Sequence, residues 1–71
     1  MKKDLAASAV PLLKPIVERN PGDPSFRYHL GMAYVATGDR SLARQHLEAA
    51  LKLRADFAGA DEARKVLAQF R

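Results

Sequence analysis

The chain has no cysteine, few aromatic residues and no long apolar run, and each shortage removes a class of protein. Without cysteine there are no disulfides, no thiolate metal sites and no cysteine nucleophile, and the redox compartment is left open. His29 and His46 remain as soft metal ligands. The scarcity of β-branched and aromatic side chains argues against a sheet, since these pack best on a pleated surface. No apolar stretch approaches the roughly 20 residues that cross a bilayer. Met1 to Val10 carries two lysines but no apolar run of signal-peptide length. A soluble chain is expected, with the cytoplasm as first choice of compartment, although an excised domain could have its signal elsewhere.

Concentrated charge is also missing. Twelve Lys and Arg face eight Asp and Glu, and the resulting +4 is spread along the whole chain. A nucleic-acid binder usually gathers its charge on one face, so the excess predicts solubility and a mild preference for acidic partners, with no nucleic-acid partner expected. Arg40, Arg44, Gln45 and Glu48, at three and four spacing, read as a solvated helix face.

What is present is helix chemistry. Of the 48% apolar residues, 13 are alanine and 21 are larger, and alanine fills helices at no side-chain entropy cost. Seventy-one residues make one domain, and a chain of this size buries only about 60% of its unfolded surface. Its apolar positions must therefore be used efficiently or be shared with a partner.

Prolines, glycines and acidic caps divide the chain into four segments. In Asn20-Pro21-Gly22-Asp23-Pro24, Asp23 can cap a helix whose first residue is Pro24, where no hydrogen bond is lost. That helix runs through Phe26, Leu30, Ala33, Tyr34 and Thr37 for about 14 residues and stops at Gly38. Asp39 or Ser41 caps the next, which carries Leu42, Ala43, Leu47, Ala50, Leu51 and Leu53. After Arg54-Ala55-Asp56, the residues Phe57, Ala60, Ala63, Val66, Leu67 and Phe70 mark a further helix, with Asp61 and Glu62 early and Arg71 late to suit its dipole. The first segment, 4–19, has Leu5, Ala9, Leu12, Leu13, Ile16 and Val17 in helical phase, but Pro11 and Pro15 interrupt it. Either that helix is kinked or its regular part begins near Pro11.

Two antiparallel helices and their linker occupy 34 residues, Pro24 to Phe57. Within them Leu30 and Gly31 are the seventh and eighth residues, Tyr34 the eleventh, Ala43 the twentieth, Leu47 the twenty-fourth and Ala50 the twenty-seventh. That pattern, and the string Tyr-x-Leu-Gly-x-Ala-Tyr-x-x-x-Gly-Asp from Tyr28 to Asp39, resembles one tetratricopeptide repeat. Three residues depart from it. Arg27 replaces the large apolar fourth residue, with Phe26 beside it to supply bulk; Ala55 replaces the late proline; Arg44 stands where an aliphatic is common. Gly31, Ala33, Ala43 and Ala50 are small residues where two helices approach, with Leu30, Tyr34, Leu47 and Leu51 interdigitating around them.

One period earlier, Ala9, Leu13 and Pro21 fall on the twentieth, twenty-fourth and thirty-second positions, so 4–19 resembles the second helix of a preceding half repeat. One period later the pattern fails at Asp61, Arg64 and Lys65, and 58–71 resembles a capping helix. The resemblance implies an all-α fold of about four helices, as antiparallel hairpins of a right-handed superhelix.

The resemblance also implies a function. In this family the first helix of each repeat lines a concave groove that takes a peptide or helix of a partner protein, in scaffold or adaptor roles. The groove positions here are Ser25, Tyr28, Met32, Val35 and Ala36. Tyr28, Met32 and Val35 form one stripe, with a hydroxyl and a pliable thioether suited to recognition; the competing reading is that the first segment covers them. Some members hold a chaperone's C-terminal carboxylate with lysine and asparagine, but Tyr28 and Met32 occupy two of those positions, which implies a more apolar contact.

No enzyme is expected, and no cofactor. His29 and His46 sit on different helices without clustered carboxylates, which disfavours a metal site and leaves them as surface histidines. Ser8, Ser25 and Ser41 lack a nucleophile-elbow context, with Ser41 explained as a cap, and there is no phosphate-cradling loop. One and a half repeats fall short of the about three normally needed. Either the chain ends a longer array, or two copies pair through the N-terminal helix at Leu5, Leu12 and Ile16.

Overall fold

The structure, a computed structural model, describes the backbone of residues 3–70 and the side chains of residues 5–70. Four helices follow one another: α1 (Lys3–Arg19), α2 (Pro24–Thr37), α3 (Arg40–Leu53) and α4 (Ala60–Gln69). No strand occurs among the described residues. The expected charge of Arg71 on the last helix lies outside them.

Local chemistry fixes the central hairpin. Asp23 caps α2 by accepting the Ser25 amide at 2.9 Å, with Pro24 as first helical residue. At the other end Gly38 takes φ 87. The Gly38 amide donates to the Val35 carbonyl at 3.2 Å and the Asp39 amide to the Tyr34 carbonyl at 2.9 Å. This pair of bonds satisfies two of the helix's last carbonyls and needs a residue at ease with positive φ. Asp39 then caps α3 through the Leu42 amide at 3.2 Å. Of the two caps the sequence allowed, the aspartate serves; Ser41 is already inside the helix.

The hairpin closes on small residues. Ala43, Leu47 and Ala50 of α3 are each 0% exposed. Gly31 makes that approach feasible: a Cβ there would stand 2.9 Å from Leu47 Cγ and Cδ2, closer than packed carbons tolerate.

α1 packs on the other side of α2 through buried Ala6 and Val17 and partly buried Val10 and Leu13; Val17, Val10 and Leu13 join Leu30 and Tyr34 in one cluster. The helix is continuous through both prolines. Pro11 and Pro15, four residues apart, share an exposed side. The carbonyls that lose their amide partners, those of Ala7 and Pro11, belong to residues on that same side, where water can serve them.

α4 is shorter than the expected 58–71, running Ala60–Gln69. Gly59, at φ 103, turns the chain into it without a side-chain cap, so Phe57 stays in the preceding loop and still fills the core at 7% exposure. Ala60, Ala63 and Val66 bury against α3 together with Leu47 and Ala50. Three arginines tie the ends. Arg64 donates to the Ala55 carbonyl, and Arg44 donates to the Phe70 carbonyl at 3.1 Å while Arg40 lies over the Phe70 ring. The Arg40 and Arg44 side of α3, read from sequence as a solvated face, thus reaches across to the end of α4.

Candidate partner-binding site

α2 divides its side chains between two surroundings. Leu30, Gly31, Ala33 and Tyr34 are buried toward α1 and α3, whereas Ser25, Tyr28, Met32, Val35 and Ala36 are each half-buried. The five positions read from the sequence thus share intermediate exposure. They are not equivalent, however. Tyr28, Met32 and Val35 pack against the cluster of Leu47, Ala50, Phe57, Ala60, Ala63 and Val66.

What leans on the stripe is not the first segment, which the competing reading of the sequence placed there. Tyr28 and Met32 contact the α3–α4 end of the molecule, and only Val35 also touches the cluster that α1 shares. The Tyr28 ring lies 5.6 Å from the Phe57 ring, tilted by 60°, and a Cβ on Gly59 would stand 2.8 Å from it. The missed signal was Phe57 itself: a large aromatic just after the hairpin, placed by a left-handed glycine rather than by helical phase. Beside Ser25, the α1–α2 turn and the α3–α4 loop border an open depression of about 640 Å³, lined by residues that include Asp23, Arg54 and Phe57. Met32 and Ala36 do not line it.

The histidines part company. His29 is exposed, its ring 5.5 Å from Tyr28. His46, read from the sequence as a surface residue, instead stacks on Tyr34 at 5.6 Å and 19°, with its Nδ1 and the Tyr34 hydroxyl both buried and unpartnered within the protein. Burial, reinforced by the charges of Arg27 and Lys14, holds the imidazole below its usual 6.5. Well above pH 6.5 it is neutral folded or unfolded and contributes no pH dependence. As the pH falls below 6.5 the unfolded chain takes up the proton first, so stability declines until the folded histidine also protonates. The urea midpoint of the wild-type chain should therefore fall more between about pH 7.5 and 5 than that of His46→Gln, in which every other titrating group is retained. Parallel pH profiles would refute this account of His46.

Among the described residues no group of three or more His, Cys, Asp or Glu side chains is placed to hold a metal ion. No described helix is long and apolar enough to cross a membrane. A family model for the tetratricopeptide repeat matches residues 2–70. No curated protein and no solved structure matches the chain. The match spans nearly the whole chain, and the helical hairpin with Gly31 against Leu47 is the packing its residues imply; the chain belongs to the tetratricopeptide repeat family.

Proposed function

We propose that the chain is an interaction module that receives a peptide or a helix of a partner protein on the face of α2 carrying Ser25, Tyr28, Met32, Val35 and Ala36. Tetratricopeptide repeats are non-catalytic and generally mediate protein–protein interaction. The observation that carries the finer reading is exposure. Leu30, Gly31, Ala33 and Tyr34 of the same helix are buried, whereas these five, like Phe26 near its start, are left partly accessible. Their chemistry is apolar with one hydroxyl, so the favoured ligand offers aliphatic or aromatic side chains rather than a carboxylate for clamping.

The test is retention of a partner by immobilised chain. Met32→Glu places a charge in the middle of the stripe and should weaken capture at least about tenfold, as loss of a central apolar contact does. Leu12→Lys, on α1, should leave it intact. Equal capture by wild type and Met32→Glu, or loss confined to Leu12→Lys, would sink the reading. Binding to a generic DNA duplex that weakens steeply with salt would point instead to nucleic acid.

A further inference from the structure

The apolar surface of α1 is wider than the strip that α2 uses. At about 100° per residue, Ala6, Val10, Leu13 and Val17 face α2, and a second stripe of Leu5, Ala9, Leu12 and Ile16 lies about a quarter-turn away. Leu5 is 63% and Leu12 68% exposed, the most exposed large apolar side chains among the described residues. No charged residue interrupts the stripe. Lys14 and Glu18 project from the far side with the prolines, and Arg19 stands at its edge.

The stripe sets small Ala9 among the larger Leu5, Leu12 and Ile16, a surface of the kind that takes a helix.

We propose that the helix it takes is α1 of a second copy, antiparallel and related by a two-fold axis. The stripe's spacings of four, three and four read identically from either end. Antiparallel pairing sets Leu12 of each copy over Ala9 of the other, large against small, and Leu5 against Ile16. A head-to-tail stack is disfavoured because the opposite end of the molecule is α4, whose outer side exposes Asp61, Glu62, Arg64 and Lys65. Setting those charges on bare leucines would desolvate them without partners. Only the isologous arrangement buries apolar against apolar. The contact runs about 17 Å from Leu5 to Ile16 at 1.5 Å per residue and is one helix wide, so it buries less than the about 800 Å² per partner of a standard interface. The dimer is accordingly weak, with a midpoint on the order of 100 µM.

Sedimentation equilibrium of the full chain from about 10 µM to about 1 mM tests this range. The average mass of the wild type should climb from 7.8 kDa toward twice that value. Leu12→Lys should remain a monomer with unchanged helicity, its side chain being exposed in the single copy. Lys14→Glu, on the far side of the same helix, should pair like the wild type. In the cysteine-free background, spin labels on Arg19→Cys should lie about 25 Å apart along the helices if they run antiparallel, and far closer if parallel. A wild type that stays monomeric at about 1 mM overturns the proposal and leaves the stripe to a helix of another protein. A dimer that survives Leu12→Lys, or labels in close contact, overturns it as well.

Discussion

Leu47→Ala is expected to leave the chain largely unfolded near physiological temperature. The side chain is 0% exposed and belongs to the cluster that joins α3 to Phe57 and α4. On its other side it fills the space that Gly31 leaves open, where an added Cβ would stand 2.9 Å from its branch carbons. The truncated alanine cannot close that gap, because Ala43 and Ala50 are already small and the helix backbones are held by their own hydrogen bonds. Leucine-to-alanine changes at such sites cost about 2–5 kcal/mol. A domain of this size has only about 3.5–10 kcal/mol in total. A thermal melt followed by far-ultraviolet circular dichroism should show Tm lowered by at least about 10 °C, given about 4–8 °C per kcal/mol for small domains. A shift under about 3 °C would mean that the hairpin does not depend on this contact.

The same contact shows why some of the fold was legible in the sequence. Caps and turns are local, so Asp23-Pro24 and Gly38-Asp39 announced both ends of α2, and the structure places them at Pro24–Thr37. Small residues at fixed spacing likewise announced the α2–α3 approach. α1 resisted because the effect of a proline depends on which side of the helix it occupies, a tertiary property; with Pro11 and Pro15 both exposed the helix carries through. The start of α4 was obscured because its apolar phase begins at Phe57, whereas Gly59 in a left-handed conformation delays the helix to Ala60.

At the candidate site, the spacing of Tyr28, Met32 and Val35 was visible, but the packing of Phe57 and Gly59 against Tyr28 required the three-dimensional path of the loop. The bond from Arg44 to the Phe70 carbonyl, spanning 26 residues, has no local signature. His46 was misread for the same reason. Its burial comes with Tyr34 on another helix, and the charges that act on it belong to Arg27 of α2 and Lys14 of α1.

Gly59→Val is expected to loosen α4 and disturb Tyr28 together. Valine at φ 103 is a strained backbone state for a branched side chain, worth about 1–2 kcal/mol before any contact is counted. Its Cβ would also meet Tyr28 Cε2 at 2.8 Å and Cζ at 2.9 Å, and the ring is wedged against Phe57. Displacing it brings the loss to about 2–4 kcal/mol. The damage should be local at first, since α4 has no side-chain cap and is tied down chiefly by Ala60, Ala63 and Val66 with the two arginine contacts. Hydrogen exchange should show α4 amides losing protection well before those of α2 and α3. A double-mutant cycle separates the two causes. In a Tyr28→Ala background the clash is gone while the backbone strain persists, so Gly59→Val should cost about 1–2 kcal/mol less there than in the wild type. An unchanged cost would place the whole effect in the backbone. A reduced cost would show that the glycine is there to seat Tyr28, which couples the position of the capping helix to a side chain of the proposed partner-binding face.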